Sequence, residues 1–138
     1  MLTIQEAFNK AYLGVMQQGR ASVNISGRSC LYRGPDGAKC AVGFLIADEH
    51  YDRDLEGCPV DLEPVGEALR KSGVETDVRF CLNTRLVLGR LQGCHDNLGH
   101  IEAEHGLLGA EEFRRRFKEG ATHIAIDYNL TVPEFTPA

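Results

Sequence analysis

Apolar residues recur at helical spacing over most of this chain, and that periodicity restricts the fold more than any single motif does. Ile4, Ala7, Phe8, Ala11, Tyr12 and Val15 fall on one helical face. Thr3-Ile4-Gln5-Glu6 ahead of them is a capping box, and Gly19 is a natural stop, so a core-packing helix is predicted over 4–18. Residues 60–71 read as a second helix, with Val60, Val65 and Leu69 inside and Gly73 at its end. From Val78 to His95 a third stripe runs through Val78, Cys81, Leu82, Leu88, Leu91 and His95, with Thr76 or Asp77 as its cap. Gly89 and Gly93 within it lower helix propensity by about 1 kcal/mol each, while allowing close packing. Glu111 and Glu112 open a last helix lined by Phe113, Phe117, Ala121, Ile124 and Tyr128. Between the last two helices, "DNLGHIEAEHGLLG" reads as a polar, glycine-punctuated connection, and "TVPEFTPA" as a tail.

One stretch breaks the helical pattern. "GPDG" at 34–37 is a turn signal, with Pro35 fixing φ at the first central position and Gly37 taking positive φ. It sits between Cys30 and Cys40, so a β-hairpin is expected near residues 28–42, with the two cysteines close to each other, reduced and buried. "AVGFLIADEHY" (41–51) fits either a buried strand or a short helix, and the helix is preferred because Asp48 and Glu49 follow with no turn between. The fold class that results is α+β: one mostly helical domain over 1–138 with a single hairpin.

The totals narrow the function. A net charge of −5 argues against a general nucleic-acid binder, which would carry a basic face. "FRRRFK" (113–118) is the local exception, and its Phe113 and Phe117 face the core together, leaving Arg114, Arg115 and Lys118 as a solvated face. No run approaches a membrane span, and Met1 to Glu6 show no leader pattern, so a cytoplasmic location is expected. Cysteines there are reduced, and five is an odd number for a disulfide framework.

Three segments could carry chemistry. Cys30 and Cys40 are ten apart, wider than zinc-ribbon pairs, and Cys58, Cys81 and Cys94 stand alone, so buried structural cysteines are expected rather than a zinc site. "DRDLEGCPVDLE" (52–63) approaches a calcium loop, with Asp52, Asp54 and Glu56 as oxygen donors, Gly57 at the turn and Glu63 as the bidentate carboxylate. Pro59 removes a backbone donor that such a loop uses, so an exposed acidic loop is expected there instead. "CHDNLGHIEAEHG" (94–106) holds His95, His100 and His105, whose spacing of five scatters them around a helix. His95 and Asp96 are the pair to carry a reaction if the protein is an enzyme, as in metal-dependent phosphohydrolases, with His123, Asp61 or Asp127 as further ligands. Because neighbours on a helix diverge by about 100°, Asp96 is not expected to pair with His95, whose partner should lie on another element around Tyr32 or Tyr51. No serine elbow, Walker loop or dinucleotide fingerprint is present.

The segment "CLYRGPDGAKCAVGFLIADEHYDRDLEG" followed by "LQGCHD" resembles a set of small phage and prophage proteins. Their shared pattern is C-x-Y-R-G-x-x-G-x-K-C-A-V-G, a leucine-isoleucine pair, an acidic-tyrosine stretch ending in Glu-Gly, and a downstream L-Q-x-x-H-D. Cys30, Tyr32, Arg33, Gly34, Gly37, Lys39, Cys40, Ala41, Val42 and Gly43 match the first part. Tyr51, Glu56, Gly57, Leu91, Gln92, His95 and Asp96 match the rest, so the likeness covers about residues 30–96. Some members carry cysteine where this chain has Phe44, which weakens a metal role for the cysteines. The resemblance implies a mobile-element origin and no particular reaction.

Together these readings describe a small accessory protein that binds a host or viral protein without catalysis and without a cofactor. Tyr32, Arg33, Lys39, Tyr51 and Glu56 are its candidate binding residues. A metal-dependent hydrolase built on His95 and Asp96, and a metal-binding structural domain, are the alternatives.

Overall fold

The computed structural model describes every residue except Asp77 and Ala138, and the side chains of 78–82 also lie outside the description. The stripe residues Val78, Cys81 and Leu82, and Asp77 as a cap, are therefore not placed.

Helix α1 spans Ile4–Gln18 and begins as its sequence dictates. Thr3 Oγ1 accepts from Glu6 N–H at 3.1 Å, and Thr3 N–H donates to the Glu6 carboxylate at 2.9 Å. At the other end Gly19 takes φ 71°, open to glycine at little cost, and Arg114 from the last helix donates to the Met16 carbonyl at 2.7 Å. The buried face is Ala7, Phe8, Ala11, Tyr12, Val15 and Met16.

Helix α2 runs over Glu63–Lys71, three residues later than the apolar pattern suggests, because Pro64 occupies its first turn. Helix α3 spans Val78–His105 and helix α4 spans Ala110–Tyr128. The expected connection at 96–109 is thus mostly helix. Gly99 does not stop α3, because its missing side chain admits Cys30, whose Sγ would lie 2.7 Å from an added Cβ. Leu98 is buried and Ile101 packs on the core, so α3 keeps an inward face until Gly106 turns at φ 94°. α4 carries Phe113, Phe117, Ala121 and Ile124 inward, as the spacing predicts. Phe8, Tyr12, Phe117 and Phe113 form a continuous stack across α1 and α4, with ring centroids 6.1, 5.8 and 6.4 Å apart.

The β-hairpin near 28–42 is not formed, and with it the α+β assignment fails. Among the described residues there is no strand, only isolated bridges such as Val23–Cys30 and Arg33–Lys39. The GPDG turn itself closes, with Gly37 N–H on the Gly34 carbonyl at 3.2 Å. Two cross-turn bonds follow, Gly34 N–H to the Ala38 carbonyl at 2.8 Å and Cys40 N–H to the Tyr32 carbonyl at 3.3 Å, but no strand ladder extends from them, and side chains hold the neighbouring backbone groups. Glu56 accepts from Tyr32 N–H at 2.8 Å and Arg33 N–H at 3.1 Å, and Gln18 brackets Lys39 with bonds of 2.8 Å to its N–H and its carbonyl. The loop is built on side chains, and it lies against α1 and α3. Residues 41–51 take the helical alternative in tightened form, as 3₁₀ turns at Val42–Leu45 and Asp48–His50, with a third at Arg53–Leu55. Gly43 is required there, because an added Cβ would lie 2.1 Å from the Tyr32 carbonyl oxygen. Among the described residues no helix is long and apolar enough to cross a membrane.

Candidate functional site

One face of α3 is left uncovered by the other helices. Leu86, Gly89, Gly93 and Asp96 succeed one another at spacings of three and four, so they form a single stripe down this face. The two glycines have open space where a Cβ would stand. Opposite the stripe run Cys30, Leu31 and Tyr32 and the segment from Gly57 to Asp61. The result is a groove of about 610 Å³ that also takes in Arg85, Arg90 and Gln92. Tyr32 holds its far wall by donating its hydroxyl to the Cys58 carbonyl, and burial pushes that phenol's pKa up.

The base of the groove is a polar network set in the core. His95 is fully buried. Its Nε2 accepts from the backbone N–H of Ser22 at 2.9 Å, and its Nδ1 lies 2.9 Å from Asp96 Oδ1. A backbone N–H can only donate, so Nε2 carries the lone pair and Nδ1 carries the proton given to Asp96. Gln92 donates to the same Asp96 oxygen at 2.9 Å and accepts from Val42 N–H at 3.0 Å. Asp96 therefore does pair with His95, against the expectation from helical divergence. The Asp96 side chain, only 37% exposed, leans back along the helix to meet both the neighbouring imidazole and Gln92 one turn earlier. His95 does find a second partner on another element, but that partner is Ser22 rather than Tyr32 or Tyr51.

Cys30 completes the cluster. Its thiol faces the Asp96 carbonyl at 3.7 Å, and Cys30, His95 and Asp96 offer ligand atoms within 4.8 Å of one another. This is the one such trio among the described residues. Its chemistry does not fit a resident metal. A metal on Nδ1 would displace the proton to Nε2, directly against the Ser22 N–H, and a metal on Nε2 would break that bond outright. Nor does it make a nucleophile, because Nε2 is already taken and cannot act as base. Burial, with the charge of Asp96, pushes the Cys30 thiol up to about 12, far from the thiolate a nucleophile needs. Cys40 is separate: fully buried, it accepts from Gly43 N–H at 3.3 Å. Both are free thiols, as are Cys58 and Cys94.

The acidic segment 52–63 does not assemble a calcium loop. Asp52 caps its own 3₁₀ turn by accepting from Asp54 N–H at 2.8 Å, and Glu63 pairs with Arg70 at 2.7 Å. Glu56 turns inward to the Tyr32 and Arg33 amides and takes the Tyr51 hydroxyl at 2.7 Å. Asp52 and Asp54 are exposed, as an acidic surface loop requires.

The candidate binding residues are engaged within the chain. Arg33 donates to the Ile46 carbonyl at 2.8 Å, pairs with Asp48 at 2.8 Å and lies 4.6 Å over the Tyr51 ring. Lys39 stands 5.9 Å over Phe44. Tyr32, Arg33, Tyr51 and Glu56 thus form an internal strap that fixes the loop wall of the groove. The basic run on α4 is likewise occupied: Arg114 caps α1, and Arg115 and Arg116 both grip Glu112 at 2.7 Å.

Two participants hold roles that the sequence alone does not assign. Gln92 stands within the L-Q-x-x-H-D run, and its spacing of four from Asp96 was the available signal. Ser22 acts through its backbone amide, and nothing in its residue type announces that. Comparison with protein-family models, curated proteins and solved structures finds no match to the chain.

Proposed function

We propose that this chain is a small non-enzymatic protein-binding module, acting on a host or viral protein, and that the groove along α3 is its binding face. The observation that carries this reading is the double engagement of His95. With Ser22 on one ring nitrogen and Asp96 on the other, the pair best suited to catalysis serves as a support. What it supports is a carboxylate at the floor of an open groove, and such a placement suits recognition. The phage-type likeness of residues 30–96 favours a partner from the host or from the virus itself.

A metal-dependent hydrolase on His95 and Asp96 has one observation in its favour, the convergence of Cys30 with that pair. The fixed imidazole proton weighs against it.

A photo-crosslinking residue placed at Leu86, on the groove rim, tests the binding reading in lysate of infected host cells. Placement at Thr122, on the exposed side of α4, is the control. The expected result is a discrete adduct from position 86 that is absent from position 122. Identical adduct patterns from both positions would remove the groove as the binding face.

A further inference from the structure

The charges of the groove are unequal, and the inequality specifies a partner. Arg90 is neutralised by Asp127 at 2.6 Å and lies over Tyr128. Arg85 donates to the Asp61 carbonyl at one end, where the exposed Asp61 carboxylate adds a negative charge. Asp96 stands at the other end with no lysine or arginine paired to it among the described residues. Both of its internal bonds fall on Oδ1, so Oδ2 is the oxygen left to an incoming donor. A carboxylate whose orientation is fixed in advance binds a cation without the entropy cost of ordering it. The net charge of −5 steers basic partners toward the protein as well.

A second observation lies at the Arg85 end. Arg85 Nε is buried and has no hydrogen-bond partner among the described residues. That nitrogen is closed to solvent, so an acceptor entering the groove meets the outer guanidinium N–H groups of Arg85, which reach the Asp61 carbonyl, rather than Nε. Arg85 and Asp96 are separated by about three helical turns, roughly 16 Å along α3. An extended polypeptide covers that distance in about five residues. It offers a carbonyl acceptor at one end and a basic side chain at the other, while Leu31, Val60 and Leu86 meet its apolar positions. A small free amine would satisfy the Asp96 end alone.

We propose that the groove receives an extended segment of a partner polypeptide, about five residues long, with an arginine or lysine side chain set against Asp96. This rests on the binding reading above and names the chemistry of the partner.

The test is selection from a randomised, acetylated hexapeptide library on the whole protein and on two variants. Asp96→Asn keeps the Oδ1 acceptor for His95 and Gln92 and replaces the open oxygen by a donor. Gly93→Leu fills the groove where nothing stands within 4 Å. Melting curves near that of the parent show that both variants fold. The expected result is enrichment of arginine or lysine at one end of peptides selected on the parent protein. The selected peptide should bind at least tenfold more weakly to Asp96→Asn, and not measurably to Gly93→Leu. Absence of basic enrichment, or equal affinity for Asp96→Asn, would overturn the proposal, as would agmatine displacing the peptide at equal concentration. Failure of the binding reading is distinguishable: a Leu86 adduct lost in Gly93→Leu preserves that reading even if no basic peptide is selected, whereas an adduct unaffected by Gly93→Leu removes both.

Discussion

The junction of α1 with α4 and the junction of α3 with the 21–61 segment are stabilised in different ways. The first is apolar and repetitive: Phe8, Tyr12, Phe117 and Phe113 stack along two helices, each ring almost wholly excluded from water. The second is polar and specific. Gln92 and His95 on α3, Gln18 on α1 and Glu56 within the segment itself each bind a backbone group of a chain whose described residues form only short 3₁₀ turns. The apolar junction tolerates apolar substitutions that conserve volume, since its stability comes chiefly from burial. The polar junction depends on single acceptors, and losing one strands a buried donor. The irregular side therefore holds the groove, while the stacked side supplies stability.

The largest effect is expected at the stack. Phe117→Ala should cost about 3–5 kcal/mol in urea unfolding, the usual cost of an emptied aromatic site in a core. A loss below about 1 kcal/mol would mean that the ring is not packed as described.

Glu56 gives the sharper contrast. Glu56→Ala should cost about 2–3 kcal/mol, because three donors lose their acceptor together. The loss should concentrate in the loop, so amide exchange at Tyr32 and Arg33 should accelerate while α1 and α4 amides keep their protection relative to global unfolding. Uniform acceleration would erase the distinction between the two junctions.

This contrast also explains what the sequence disclosed. The capping box at Thr3, the Gly19 stop and the inward residues of α1 and α4 were legible because helix signals are local and periodic. The hairpin was misread because its turn residues are right and its ladder is absent. How far residues 31–40 pair with each other beyond the Arg33–Lys39 bridge depends on Glu56 and Gln18, which lie far along the chain, and turn chemistry carries no record of them. The end of α3 was misread for a related reason. Gly99 signals a break on its own, and only the position of Cys30 shows why a glycine belongs inside the helix. At the site, His95 and Asp96 were found, but their pairing was not. The 100° rule concerns Cα–Cβ directions, and a carboxylate two bonds further out can reach back.

Thiol reactivity probes the buried polar side with a smaller signal. Cys30 lines an open groove, yet its thiol is held up to about 12, by burial first and by Asp96 next. Its alkylation at pH 7.5 should be much slower than that of an ordinary exposed cysteine, and Asp96→Asn should speed it modestly. Labelling at the rate of a free peptide thiol would contradict the burial.

Acid should have the smallest effect. Glu112, gripped by Arg115 and then Arg116, is held down to about 2, and Asp36 is lowered by the Ala38 amide and by Arg20. Carboxylates with depressed folded values stabilise the native state above their ordinary range, and this contribution is lost as pH falls from about 4.5 toward 2. Asp36 is exposed and Glu112 lies at the surface with its side chain about a third exposed, so the melting temperature should fall only slightly through that window, and Glu112→Gln should flatten the fall. A rise in stability on acidification would reverse the sign.

The imidazole of His95 decides most directly whether the polar junction is a support or a reaction centre. Nitrogen-15 NMR of the ring, recorded at neutral pH with and without equimolar zinc, reads its protonation state. The account requires a proton on Nδ1, an unprotonated Nε2 and no change on adding zinc. A proton on Nε2, or a ring nitrogen shifted by zinc, would contradict it and return His95 and Asp96 to catalysis.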